Sequence, residues 1–291
     1  MFILKEGATG QEVKRFQHNL HTKEDGIFGS KTKESLKLFQ QYNKLSVDGV
    51  YGLETQTAMG TEIWSGIDVS SHNGTIDWKR VSKTDTKFAF IKLTEGRTHN
   101  NPKRKENWDG AKLNGLYVGG YHFARPDTDT SPDDAVAEAK HFIKALRDLG
   151  WQKGVDFVPV LDLEAGMKTD DEYNVSWAIK FCEYVESELG VKPIIYTAKW
   201  FWDSYLVSAT KESIEKLIKY PVWWAHYTTN TQEDPNLRGW ESWQVWQWTG
   251  SGTVDGISGK VDRNWLPGGI KGIKKLMGVK SCSCTLVCCS C

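Results

Sequence analysis

The chain has 291 residues, enough for two domains and one sizeable core, and its 37 basic and 37 acidic residues cancel. That balance argues against a nucleic-acid partner, which would want a strongly basic face. No apolar run reaches the ~18 residues of a membrane span, so none is expected, while 14 tryptophans exceed what a core alone needs and suit stacking on sugar rings or other flat ligands.

The opening MFILKEGATGQEV lacks a basic region followed by a long apolar core and a small-residue cleavage site, so no signal peptide is expected. Residues 1–60 then carry an internal repeat. Glu24-Asp25-Gly26-Ile27-Phe28-Gly29-Ser30-Lys31-Thr32 recurs as Val47-Asp48-Gly49-Val50-Tyr51-Gly52-Leu53-Glu54-Thr55. Asp-Gly sets a tight turn, and the second glycine is expected to take a positive φ just before a helix. Thr9 and Glu12 read as a capping box for a first helix with Val13, Phe16, Gln17 and Leu20 on one face. A second helix gathers Leu36, Phe39 and Gln40.

The segments ATGQEVKRFQHNL, DGIFGSKTKESLKLFQ and LSVDGVYGLETQTAM resemble the small three-helix peptidoglycan-binding domain carried by many cell-wall hydrolases. The resemblance implies a non-catalytic wall anchor, without indicating which residues touch the ligand. Only Gly60-Thr61-Glu62 separates this module from the next strand, so the two domains are expected to touch.

From Ile63 onward short apolar strands recur, around 66–70, 88–93, 118–123, 157–164, 193–196, 222–225, 243–247 and 261–262. Helix-like segments lie between the early ones, at 133–149, 174–189 and about 204–218. This alternation argues for a parallel α/β barrel. The late connections, NTQEDPNLRGWES and TGSGTVDGISGK, are too rich in turn residues for packed helices. The last strands are therefore expected to be antiparallel and joined by hairpin-like loops, after five strand–helix units. The fold class expected is α/β: an irregular (β/α)5(β)3 TIM-like barrel over residues 63–267, preceded by the small helical domain. Residues 268–291 read as a basic, Cys-rich, disordered tail. Five of the six cysteines crowd there, Cys282, Cys284, Cys288, Cys289 and Cys291, with Cys182 alone on a predicted helix. A body without a disulfide framework suits synthesis in a reducing cytosol; the tail could bind a soft metal or crosslink chains instead.

Four strand ends offer acids: Asp68, Asp162, Glu164 and Asp262. A parallel barrel presents its site at the C-terminal ends of its strands. Asp162 and Glu164 are two apart and share a face. Closure of the barrel brings Asp68 beside Asp262. A glycosidic oxygen leaves poorly unless protonated, so sugar-polymer cleavage needs one acid that keeps its proton near neutral pH and a second carboxylate for the positive charge on the ring. The spacing leaves retaining, inverting and substrate-assisted routes open.

GIDVSSHNGTIDW, FIKLTEG, GGYHFARP, VPVLDLE, PIIYT, VWWAHY and VWQWTGSGTVDGISGKVDRN resemble, in order, glycoside hydrolase family 25, the Chalaropsis-type lysozymes. The resemblance implies an N-acetylmuramidase acting on the β-1,4 bond between N-acetylmuramic acid and N-acetylglucosamine. It makes Glu164 the acid and Asp162 the orienting or stabilising carboxylate, with Asp68 and Asp262 completing the cluster. Tyr121, Phe123, Tyr196, Trp224, Tyr227, Gln247 and Trp248 are the candidate sugar-lining residues. Lys92 and Glu95 are a candidate ion pair. His72, His122 and His226 read as hydrogen-bonded structural groups. No cofactor and no metal site is expected; the partner is bacterial peptidoglycan, and oligomeric state is open. Where the family usually has an aromatic residue after K-L-T-E-G, this chain has Arg97-Thr98-His99-Asn100-Asn101, which bears on the shape of one subsite. The setting that fits is a phage endolysin made in the host cytoplasm and released to the wall through a holin-opened membrane, with an autolysin exported by another route as the alternative source. A family 18 chitinase and a wall-binding protein with an inert barrel are the competing functions.

Overall fold

A computed structural model describes residues 3–20, 22–127, 131, 133–166, 168, 170–227 and 236–279. The cysteine cluster from Cys282 to Cys291 lies outside the described residues.

The N-terminal module holds three helices, α1 (Gln11–Asn19), α2 (Ser30–Tyr42) and α3 (Leu53–Met59). Leu4, Val13, Phe16, Phe28, Leu36 and Tyr51 form its core. The sequence repeat is also a structural repeat. Gln17 donates to Asp25, the Ile27 carbonyl and Thr32, and accepts from the Gly26 amide. Gln40 does the same with Asp48, Val50, Thr55 and Gly49. A buried glutamine thus staples each Asp-Gly turn to its helix. The glycine expectation is reversed: Gly26 and Gly49 take the positive φ, while Gly29 and Gly52 are extended helix caps. Thr9 does not cap α1 either. Gly10 holds that position, and Thr9 pairs with Ile27 in an isolated bridge.

The second domain comprises β1 (Ile63–Val69), α4 (Trp78–Val81), β2 (Thr86–Glu95), β3 (His99–Asn100), α5 (Arg104–Leu113), β4 (Tyr117–Phe123), α6 (Asp134–Asp148), β5 (Val160–Asp162) and α7 (Asp171–Leu189). It continues through β6 (Ile194–Ala198), α8 (Lys199–Tyr205), α9 (Lys211–Leu217), β7 (Val222–Ala225), β8 (Val245–Gly252), β9 (Val261–Pro267) and α10 (Gly269–Leu276). Strands pair in the order β1-β9-β8-β7-β6-β5-β4-β2, and β1 pairs with β2 to close an eight-stranded barrel; β3 is a short return on β2. Five strand–helix units precede three strands, as expected.

Period-two alternation sorts the side chains. Phe88, Phe90, Phe157, Val160, Ile194, Trp223 and Val245 fill the bore, with Phe90 stacked on Trp223 at 4.5 Å. Ile67, Ala89, Ile91, Leu161, Ile195 and Val222 face the helices. Glycines make room for the bore aromatics: a Cβ at Gly119 would come within 2.8 Å of Phe90 and Phe157, and one at Gly66 would overlap the Phe88 ring.

Three features differ from expectation. β7 and β8 are parallel; of the eight barrel strands described, only β9 runs antiparallel to its neighbours. No helix occurs among the described residues between β7 and β8. Trp240 and Trp243, both buried, pack there against the outer core in a helix's place, with Trp240 against Trp202 and Trp224. Next, residues 204–218 are not one helix: α8 ends at Tyr205, and Thr210 caps α9 by accepting from the Ser213 amide. Finally, residues 268–279 are not a disordered tail. α10 buries Ile273 and Leu276 with Val158, Val191 and Ile194, and the Val158 amide donates to the Leu276 carbonyl at 2.6 Å. This helix plugs the end of the barrel where the parallel strands begin.

The module docks at that same end. The Arg15 guanidinium lies over the Trp243 ring at 5.7 Å, and the Gly269 amide donates to the Glu62 carbonyl at 2.9 Å. A cavity of about 350 Å³ at the junction is lined by Glu12, Phe16, Asn19, Tyr51, Trp243 and Lys275 among others.

Candidate active site

Barrel register brings the strand-end acids together. Asp68 on β1 lies directly opposite Asp262 on β9. Phe123, Asp162 and Tyr196 share one rung across β4, β5 and β6. Glu164 follows two residues after Asp162. All four acids line one cavity of about 650 Å³ at the mouth, together with Tyr121, Phe123, Tyr196, Tyr227 and Gln247 as anticipated.

Hydrogen bonds fix the Asp68 carboxylate. Its Oδ2 accepts from Gln247 Nε2 at 3.0 Å and from Asn264 Nδ2 at 2.8 Å. Gln247 Oε1 in turn accepts from the hydroxyls of Tyr196 and Tyr227, each at 2.9 Å. Trp223 Nε1 donates to Asn264 Oδ1 at 2.9 Å. The amides are thereby oriented with their donors toward Asp68.

The other acids are less supported. Asp162 is buried, and its Oδ1 has no hydrogen-bond partner. Glu164 and Asp262 are half-buried. Burial raises the pKa of all four above the usual carboxylate range. After burial, the Asp262 charge adds to the shift of Asp68, and the Glu164 charge to that of Asp162. At Glu164 burial leads, a Tyr196 hydrogen bond opposes it, and the Asp262 charge adds to it. Like charges this close do not all ionise together, so the cluster retains protons where an isolated carboxyl would have lost them.

Cations temper the cluster without neutralising it. Lys92 Nζ bonds Glu95 Oε2 at 2.8 Å and sits 4.1 Å from the centre of the Phe123 ring. Arg125 Nη1 reaches the other Glu95 oxygen at 3.1 Å. The Lys92–Glu95 pair read from sequence is therefore present, with Arg125 added. Lys92 still lowers the pKa of Asp162 and Glu164, though less than burial raises it.

Two lining residues are corrected. Trp224 is fully buried outside the bore, between sheet and helices, with its ring centre 6.1 Å from that of Trp240. Trp248 stacks on Trp265 at 5.2 Å and packs against the same outer layer. Neighbours on a strand face opposite ways, so Trp223 and Gln247 facing inward turn Trp224 and Trp248 outward. Trp223, Asn264 and Arg125 were not anticipated. Asn264 had a signal, being two residues after Asp262 on the same strand.

The histidines differ in setting. His72 lines the mouth. His122 is buried behind β4, bonded to Thr94 at 2.8 Å and Glu138 at 2.7 Å; burial pushes its pKa down to about 3 and that of Glu138 up to about 8. The His226 ring tilts on Trp246. The departing segment after Glu95 is tied down locally: the Asn101 amide donates to the Leu93 carbonyl, and the His141 ring bonds the Gly96 carbonyl and Asn100.

Residues 67–257 match the family described as "Glycosyl hydrolases family 25", and residues 9–59 match that described as "Putative peptidoglycan binding domain". Lysozyme M1 of Streptomyces globisporus is 31% identical over 210 residues, covering 70% of this chain and 67% of its own. The N,O-diacetylmuramidase of Chalaropsis sp is 27% identical over 222 residues, covering 72% and 97%. The crystal structure of the bacterial lysozyme from Streptomyces coelicolor matches with a TM-score of 0.63 at 26% identity, covering 74% of this chain and 98% of that one.

Proposed function

Because the chain belongs to glycosyl hydrolase family 25, we propose that Glu164 is the proton donor of its glycosidase reaction and Asp162 the carboxylate that orients or stabilises the reacting sugar. The protein is a lysozyme-type glycoside hydrolase acting on peptidoglycan. The finer reading is cleavage of the β-1,4 bond between N-acetylmuramic acid and N-acetylglucosamine. Glu164 gives its proton to the bridging oxygen as the C1–O bond breaks and the electron pair leaves with that oxygen. Water then supplies hydroxide to C1 and returns a proton to the enzyme. Asp162, buried beneath with one oxygen unpartnered, faces the positive charge that develops on the ring or holds the substrate's N-acetyl amide.

The observation that carries this is the convergence of four carboxyls in one mouth, with Glu164 the more accessible of the D-x-E pair. Wild-type enzyme is expected to clear a suspension of purified walls and leave new N-acetylmuramic acid reducing ends, read by mass spectrometry. Glu164→Gln is expected to lose roughly two to four orders of magnitude in rate, the usual worth of a positioned general acid. Clearing by the variant at a comparable rate would remove Glu164 from this role. The proposal includes wall anchoring by residues 9–59, supported by their family match and by docking that leaves the mouth open.

A further inference from the structure

We infer that the outer face of α2, centred on Leu38 and Tyr42, is the surface through which the module holds peptidoglycan; this rests on the anchoring role proposed above. The argument begins with the duplication. Gln17 and Gln40 make equivalent bonds in equivalent turns, so positions 23 apart correspond throughout the two copies. Leu38 then occupies the place of Arg15, and Tyr42 that of Asn19.

The two copies use that face differently. In the first it lies against the barrel, with Arg15 over Trp243 and Asn19 lining the junction. In the second it is open: Leu38 is 62% exposed and Tyr42 88%. Arg15 and Asn19 stay exposed at the edge of that junction, so the two copies differ in chemistry: the first carries polar residues at these places and the second carries large apolar ones left in the open, which folding alone does not favour. The module core does not need these two, since Leu36 fills it from the same helix. Val47, 48% exposed, adds to the exposed apolar surface of this copy.

Charge and shape indicate the occupant. Lys37 and Lys44 are exposed members of the same copy; Lys37 lies over the Asp48-Gly49 turn and acts on the Asp48 carboxylate, while Lys44 makes no ion pair among the described residues. A pyranose ring offers a C–H face to an exposed aromatic ring, and peptide stems offer carboxylates to lysines. The fitting partner is therefore a sugar–peptide unit of the wall. A second copy of this chain would instead bring its own lysines onto these.

The test uses the full chain carrying Glu164→Gln, so that walls stay intact, in cosedimentation with purified peptidoglycan. Adding L38S and Y42S is expected to weaken binding about tenfold or more, as loss of an interface anchor does. Y42F should retain binding, because the ring remains. R15S, at the equivalent position of the first copy, should bind as the parent does. Melting curves confirm that each variant is folded. Undiminished binding by the folded L38S/Y42S variant overturns the assignment, as does a change confined to self-association. If the parent does not sediment with walls at all, it is the anchoring role that fails.

Discussion

Gln247, on β8, donates to Asp68, on β1, at 3.0 Å across the strand that separates them. The same amide accepts from Tyr196 and Tyr227, so one side chain ties the acid of β1 to the aromatic rim of the mouth. Gln247→Leu removes a donor to the charged form of Asp68. Its pKa, already raised by burial, should rise further. We expect kcat to fall roughly 10- to 100-fold, the worth of a hydrogen bond to a charged group. The acid limb of the pH–rate profile should move to higher pH. An unmoved limb would show that Asp68 ionisation does not depend on this bond.

Asp162 and Glu164 bear on stability with a definite sign. Their folded-state pKa values lie above the ordinary 3.8 and 4.5. The folded protein therefore binds protons more tightly than the unfolded chain. That contribution is complete below the unfolded values and is lost as pH rises through the folded ones. Asp162→Asn and Glu164→Gln carry no such penalty. Both should melt a few degrees above wild type near pH 7, with the gain shrinking toward about pH 4. Melting differences that grow on acidification would contradict the arrangement.

Gln40 closes the second Asp-Gly turn of the module. Gln40→Leu leaves the buried Gly49 amide without its acceptor, at about 1–3 kcal/mol for that donor alone. Hydrogen exchange should accelerate through residues 30–59 ahead of the barrel. Gln17→Leu should do the same around Gly26. Uniform exchange across both domains would mean that the module does not open separately.

Ile273 is fully buried where α10 closes the barrel. Ile273→Ala should cost roughly 2–5 kcal/mol in urea unfolding, the range for deleting a buried aliphatic side chain. A solvated tail would show no effect.

Much of the site was readable because its signals are local. Asp162 and Glu164 share a face through strand periodicity, and Asp68 and Asp262 adjoin because a closed barrel seats its last strand beside its first. The lining was half readable. Alternation says that Trp223 and Trp224 face opposite ways, but not which faces in. The helix plug was missed because short Gly- and Lys-rich segments look solvated until an apolar floor is available to receive Ile273 and Leu276.

From residue order alone came the duplicated module, the strand–helix count and the four acids, since each rests on spacing within a few turns or one strand. Tertiary structure decided the inward-facing tryptophan, the direction of β8, the role of α10 and the end at which the module docks. Those depend on partners far apart in the chain, such as Gln247 and Asp68 at a separation of 179 residues, whose meeting is set only when the barrel closes.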